Sequence, residues 1–449
     1  MRDSSAPDRS DLRLSIETAT LHGLSWLVVG NSVGLLLATL LLLPGLGALL
    51  APLTYGRWMP VHLNLQLYGW SALPLVALLF RIYLPARAGR WPVLAVGIWS
   101  GSLLFATVSW LSGHSSGKLF LEWTGPARLL LAANLFCLAL VLCVPLVRQT
   151  ARRIAPVRSF SERCSLTAKW VLLLGLFGVP GVLYWAADPT LYPPINPSSG
   201  GPTGGSLLGS TLGIVAVVLL LPFACGLRPR GGFKVLLLPA VALLAHFAWF
   251  ALMDHGNHSH HEPMQFVSLA SLAIWFPLLT RYLRRFDWPE SCRLWLPALG
   301  GWGALLLLTA IPTFLPGVLE RWKFTNALVG HAHLAMAGFV TSLLVVMLVV
   351  LNRDTALGRL FAAKLSFSLW HAGSLVHVVS LLVLGSLEAA DPGLVFRATP
   401  VVETFYLVRW LAGGTMLAAS GLWLRSGLRC RSGADVERPA AVEELYHAA

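Results

Sequence analysis

Long apolar runs constrain this chain more than any motif. About 30 Å of hydrocarbon admits only backbones whose hydrogen bonds close internally, and a helix of about 20 residues is the simplest solution. Such runs recur at roughly 21–50, 60–82, 91–112, 128–147, 170–187, 206–226, 235–253, 264–283, 294–315, 325–351, 362–386 and 404–425. They predict an all-α integral membrane protein with twelve transmembrane helices. Residues 21–425 read as a single membrane domain, between a cytoplasmic N-terminal segment, 1–20, and a cytoplasmic C-terminal tail, 426–449. Only 12% of the 449 residues are charged, where an average soluble domain carries about 25%. The opening "MRDSSAPDRSDLRLSIETAT" is polar and leads into a run too long for a signal-peptide core.

Basic residues set the orientation, because they accumulate in short cytoplasmic loops. With the N-terminus inside, all but seven of the 33 Lys and Arg fall on the inner side. The seven are Arg57, Lys118, Arg128, Arg321, Lys323, Arg397 and Arg409. Both termini are then cytoplasmic. The net charge of +13 reads as orientation in a lipid bilayer, and no nucleic acid is needed to explain it. The six cysteines lie in spans or on the inner side, none with zinc-site spacing, and no Cys-x-x-Cys-His heme attachment motif occurs.

The thirteen histidines are not scattered evenly. His22 and His447 lie on the inner side. His62 opens span two from the outer side, and His331 and His333 open span ten from the same side. Span seven carries His246 and ends in "MDHGNHSHHEP", with His255, His258, His260 and His261; span eleven carries His371 and His377. His114 falls in an outer loop. Ionisable groups inside a membrane are costly and usually functional, and neutral imidazole is a preferred axial ligand of heme iron. At about 100° per residue, His331 and His333 point to nearly opposite faces of their helix. His333 can therefore clamp one heme against His62, while His331 serves a second heme whose far side is open. A lone intramembrane histidine is more often a hydrogen-bonded packing residue, and His246 and His371 read that way.

At these residues the chain resembles subunit I of the heme-copper oxidase superfamily, nearest to the cbb-type cytochrome c oxidases and the related nitric oxide reductases. "GRWMPVHLNLQLYGW" resembles the family's second-helix segment, "FTNALVGHAHLAMAGFV" its tenth-helix His-x-His, and "FYLVRWLAGG" the start of its last helix. The resemblance implies that His62 and His333 ligate a low-spin heme b and that His331 ligates a high-spin heme. Arg57, Arg321, Lys323 and Arg397 are then placed to pair with heme propionates, a task that suits Arg; each also reads as an ordinary interfacial charge. "HGNHSHHEP" resembles the family's metal-ligating pair, implying copper or iron at His260 and His261, or at His258.

The sequence also departs from the family. Span six has no histidine for a third metal ligand and no glutamate, span seven has no tyrosine, and no Asp or Glu sits well inside any span. The histidine-rich segment reads equally as a metal site of its own or as a polar outer cap. Two functions stand side by side. One is a respiratory oxidoreductase of the bacterial inner membrane, its hemes toward the periplasm. It takes electrons from a c-type cytochrome subunit or soluble cytochrome through the low-spin heme to the high-spin heme, where oxygen or nitric oxide is reduced. The other is a non-catalytic diheme electron conduit or scaffold among other respiratory membrane subunits. A metal-capturing transporter leaves the His-x-His spacing unexplained.

Overall fold

The computed structural model describes residues 10–151, 160–191, 204–232, 234–253 and 262–432. Among these, eleven helices are long and apolar enough to cross a membrane. They are α1 (Asp11–Leu42), α2 (Tyr55–Tyr83), α3 (Trp91–Leu111), α4 (Gly125–Ala151), α5 (Glu162–Ala186), α6 (Leu207–Ala224), α7 (Lys234–Leu252), α8 (Pro263–Leu283), α9 (Glu290–Thr313), α10 (Asn326–Leu351) and α11 (Lys364–Ala390). The twelfth expected span lies in a further helix, α12 (Pro400–Ser432). It has 33 residues but also carries Glu403, Arg409, Arg425, Arg429 and Arg431, and is not among the eleven.

The first helix is displaced from its expected bounds of 21–50. Ser10 caps its N-terminus by accepting from the Arg13 N–H at 3.4 Å, so the helix starts at Asp11. It stops at Leu42 because Leu43 precedes Pro44, and a residue before proline is pushed out of the helical region. Residues 11–20, expected to precede the first span, are therefore helical. This brings Glu17 into α1, where it is buried and pairs with Arg13. The longer α11 likewise takes in Glu388, also buried. Two carboxylates thus sit inside helices, one near each end of the bundle.

Helices α12, α1, α2, α3, α4 and α5 pack in succession, while α12 also leads through α11 and α10 to α9. A contact between α2 and α10 ties the two arms together. Each arm has its own buried core: one is built around Trp70, Trp295, Trp370 and Trp423, the other around Phe80, Trp99, Trp110 and Trp123. Lipid tails are as apolar as leucine, so close packing rather than water exclusion holds such helices together, and small residues let backbones approach. On α11 a Cβ at Gly385 would lie 1.8 Å from the Ala327 backbone nitrogen of α10, and one at Gly373 would lie 2.3 Å from Thr415 Oγ1 of α12. Both contacts allow no methyl group.

The connection between α3 and α4 is held from within. The Glu122 carboxylate accepts from the backbone N–H groups of Ser116 and Gly117 at 2.6 and 2.9 Å. Asn64, two residues beyond His62, accepts from the Glu122 N–H. Beyond the end of α5, Asp188 accepts from the Thr190 hydroxyl and N–H and pairs with Arg128. These contacts hold its carboxyl down at about 2, so the pairing persists through the neutral range and is lost only on strong acidification.

Gly385→Ala should separate α10 from α11, at a cost of about 1–3 kcal/mol or more as an overpacked contact. A fall in thermal midpoint of the solubilised protein is expected; an unchanged midpoint would mean that the two backbones do not meet there.

Candidate functional site

The rings of His62 on α2 and His333 on α10 face each other with centroids 6.3 Å apart and planes 20° apart. With a metal–imidazole bond of about 2 Å and each nitrogen about 1.1 Å from its ring centre, two ligands trans on one iron have centres about 6 Å apart. The pair fits a single iron between them.

Hydrogen bonds at the far side of each ring fix which nitrogen is free. His62 Nδ1 donates to the Gly30 carbonyl of α1 at 2.8 Å, and His333 Nδ1 donates to the Val329 carbonyl one turn back at 2.8 Å. A carbonyl only accepts, so each Nδ1 carries the proton and each Nε2 keeps its lone pair for a metal. His331 Nδ1 lies 2.9 Å from the Thr309 hydroxyl of α9, a group that gives or takes a proton, so this contact does not select one tautomer. His246 and His371 show the opposite pattern. Trp275 donates to His246 Nδ1 at 3.0 Å and Trp302 donates to His371 Nδ1 at 2.9 Å, so both rings carry their proton on Nε2. His246 Nε2 then donates to Ser271 at 2.7 Å, leaving no free ligand atom. The hydrogen bonds separate His62 and His333, whose Nε2 is unprotonated, from His246 and His371, whose Nε2 carries the proton.

The helices that carry the facing pair share a local distortion. Directly after His62 and His333, over Leu65–Ser71 and Leu334–Val340, the backbone widens to the i→i+5 pattern. Such widened turns are rare and concentrate at functional sites. Each ends in a hydroxyl that donates five residues back, Ser71 to Gln66 O at 3.1 Å and Thr341 to Met336 O at 2.9 Å. Trp70 donates across to Thr341 at 3.0 Å, locking one widened turn against the other. Small residues clear the space around them: a Cβ at Gly34 would lie 2.7 Å from His62 Cε1, one at Gly69 2.5 Å from Trp26 Cβ, and one at Gly338 2.5 Å from Trp302.

The N-terminal end of α10 is anchored by Glu388 of α11. Its carboxylate accepts from Asn326 N at 2.6 Å and from Asn326 Nδ2 at 2.8 Å, at the positive end of the helix that carries His331 and His333. Arg409 of α12 donates to Asn326 Oδ1 at 3.4 Å, and its charge acts on His62, His333 and His377 alike. His377 packs against His333 with ring centroids 4.7 Å apart, and neither of its nitrogens has a hydrogen-bond partner.

The other expected site residues lie in different settings. Arg57, five residues before His62, packs into the notch left by Gly113 and donates to Leu111 O at 3.5 Å. Arg321 and Lys323 sit in and just beyond the short helix Val318–Trp322 before α10. Arg397 pairs with Asp391 on the surface. His258, His260 and His261 lie outside the described residues. Arg409, Glu388 and His377 had no role in the sequence reading. Arg409 stood among the seven outer cations inside the quoted "FYLVRWLAGG", and that was its only signal.

No family model matches the chain, and no curated protein matches it. Among solved structures, the cryo-EM structure of a heme-copper terminal oxidase dimer is similar to it, with a TM-score of 0.52 at 13% identity, over 93% of this chain and 84% of that one. The chain has the fold of a heme-copper terminal oxidase. That likeness and the eleven apolar helices make it an all-helical, multi-pass membrane protein of that architecture.

Gly34→Ala should drive a methyl into the His62 ring and break its bond to Gly30 O. Purified variant protein is expected to show a lower thermal midpoint than the wild type; an unchanged midpoint would show that His62 does not hold its ring in this position.

Proposed function

We propose that the chain is a heme b-containing respiratory membrane oxidoreductase, similar to subunit I of cytochrome c oxidase and nearest to the cbb-type oxidases and nitric oxide reductases. The single observation that carries this reading is the His62–His333 pair, 6.3 Å apart with both Nε2 lone pairs available. In this reading all twelve helices span a bacterial inner membrane, both termini are cytoplasmic, and the histidines lie toward the periplasm. The donor is a c-type cytochrome, as a subunit or a soluble protein, within an assembly of other respiratory membrane subunits.

His62 and His333 hold a low-spin heme, and His331, steadied by Thr309, holds a high-spin one. When bound, the hemes supply one-electron carriage where both faces are closed and reduction of oxygen or nitric oxide where one face is open. The remaining roles belong to the chain. Gly30 O and Val329 O orient two of the ligand rings. Glu388 and Asn326 fix the start of α10. Arg409 joins Arg57, Arg321, Lys323 and Arg397 as a cation for the propionates, and it is linked by hydrogen bond to Asn326 at the start of α10. A second metal, copper or iron, is assigned to His258, His260 and His261.

The second reading, a non-catalytic diheme conduit or scaffold, is favoured by one observation. His246, which lies in the helix that ends at the histidine-rich segment, has both ring nitrogens engaged by Ser271 and Trp275 and lends no ligand to a second metal.

Reduced-minus-oxidised spectra with and without carbon monoxide distinguish the two. An oxidase-like site is expected to show a carbon monoxide shift that His331→Ala removes. His62→Ala and His333→Ala should each abolish the low-spin bands while the protein stays in the membrane. Retention of those bands in either variant would remove the pair, and two hemes without a shift would establish the conduit.

A further inference from the structure

A cavity among the described residues lies at the inner end of α8 on the proposed topology. It has a volume of about 710 Å³ and is lined by Arg230, Phe276, Pro277, Thr280, Arg281, Arg284 and Arg285. That volume is within the range of about 300–1,000 Å³ typical of small-molecule sites. The positive-inside rule accounts for arginines on this side of the membrane, and the end of a helix favours them. Neither accounts for their convergence on one concavity from two separate connections. Arg281, Arg284 and Arg285 come from the end of α8, while Arg230 comes from the turn between α6 and α7.

That turn is held in place. Gly226, Gly231 and Gly232 take positive φ, a conformation glycine adopts freely, and the Arg230 N–H donates to Arg285 O at 2.7 Å. Asp287 pairs with Arg230 and neutralises one of the four charges. Arg281, Arg284 and Arg285 carry no acidic partner among the described residues. The lining is also graded along the helix axis. At 100° and 1.5 Å per residue, Phe276, Pro277, Thr280, Arg281 and Arg284 share an arc of about 140° and extend about 12 Å from the apolar end to the basic end. Phe276 is 41% exposed, so the apolar end is open to whatever occupies the cavity.

We infer that this cavity binds an anionic phospholipid. The phosphate group sits among Arg230, Arg281, Arg284 and Arg285, and the start of an acyl chain lies along Phe276 and Pro277. Basic pockets at the cytoplasmic face of membrane helices take such headgroups, and each arginine near an anionic lipid surface is worth about 1 kcal/mol. The apolar floor selects a lipid over a free anion, which has nothing to place there.

The test uses the full-length protein in nonionic detergent, exposed to phosphatidylglycerol or phosphatidylcholine, with retained lipid counted by native mass spectrometry. The wild type is expected to retain phosphatidylglycerol in preference to phosphatidylcholine. An Arg281→Gln, Arg284→Gln double variant should lose about 30-fold of that preference. Thr280→Glu, which leaves every arginine in place, should abolish it by setting a carboxylate against the phosphate; this keeps the test decisive if the double variant does not fold. Equal retention of the two lipids, or retention unchanged in both variants, would overturn the assignment. Displacement of phosphatidylglycerol by inorganic phosphate at equal concentration would overturn it too, making the cavity a soluble-anion site.

Discussion

One contact governs the surroundings of His62 and His333: the donation of an imidazole Nδ1 proton to a carbonyl oxygen, which only accepts. A neutral imidazole in hydrocarbon must satisfy its N–H or lose free energy, and the choice of partner decides which nitrogen remains basic. Gly30 O and Val329 O make that choice for His62 and His333. Tryptophan donors make the opposite choice for His246 and His371. The same residue type in the same solvent thus takes two roles, set by whether the neighbour at Nδ1 gives or receives a proton.

Much else follows from keeping the Gly30–His62 and Val329–His333 contacts in place on α1, α2 and α10. Gly34 lets α1 come close enough for Gly30 O to reach His62. The widened turns after His62 and His333 are locked together through Trp70 and Thr341. Glu388 and Arg409 bind the start of α10 to α11 and α12, so the helix that carries His331 and His333 is fixed at its N-terminal end. Gly385 permits this by letting the α11 backbone touch Ala327.

The architecture was legible because membrane solvent leaves so few solutions: long apolar runs had to become helices, and they did. Helix ends were less so. α1 starts ten residues before its apolar run because a serine cap and the Arg13–Glu17 pair extend it, and polar residues that continue a helix look like loop to a hydropathy count. Spacing and depth singled out His62, His331 and His333 in the sequence, and His246 and His371 read as packing residues. Glu388, Arg409 and His377 were not singled out, since each acts across a helix–helix contact between segments far apart in sequence. Nor does the sequence show that Trp275 and Trp302 donate to Nδ1 of His246 and His371, contacts made between helices.

The most direct test of the facing pair is electron paramagnetic resonance of the oxidised, purified protein. In the proposed function His62 and His333, with ring planes 20° apart, would hold one ferric iron and lift the near-degeneracy of its d orbitals, so a rhombic low-spin signal is expected, and it should vanish in His333→Ala. Absence of any low-spin ferric signal, or the strongly anisotropic signal of imidazoles crossed at right angles, would contradict the arrangement of His62 and His333 described here.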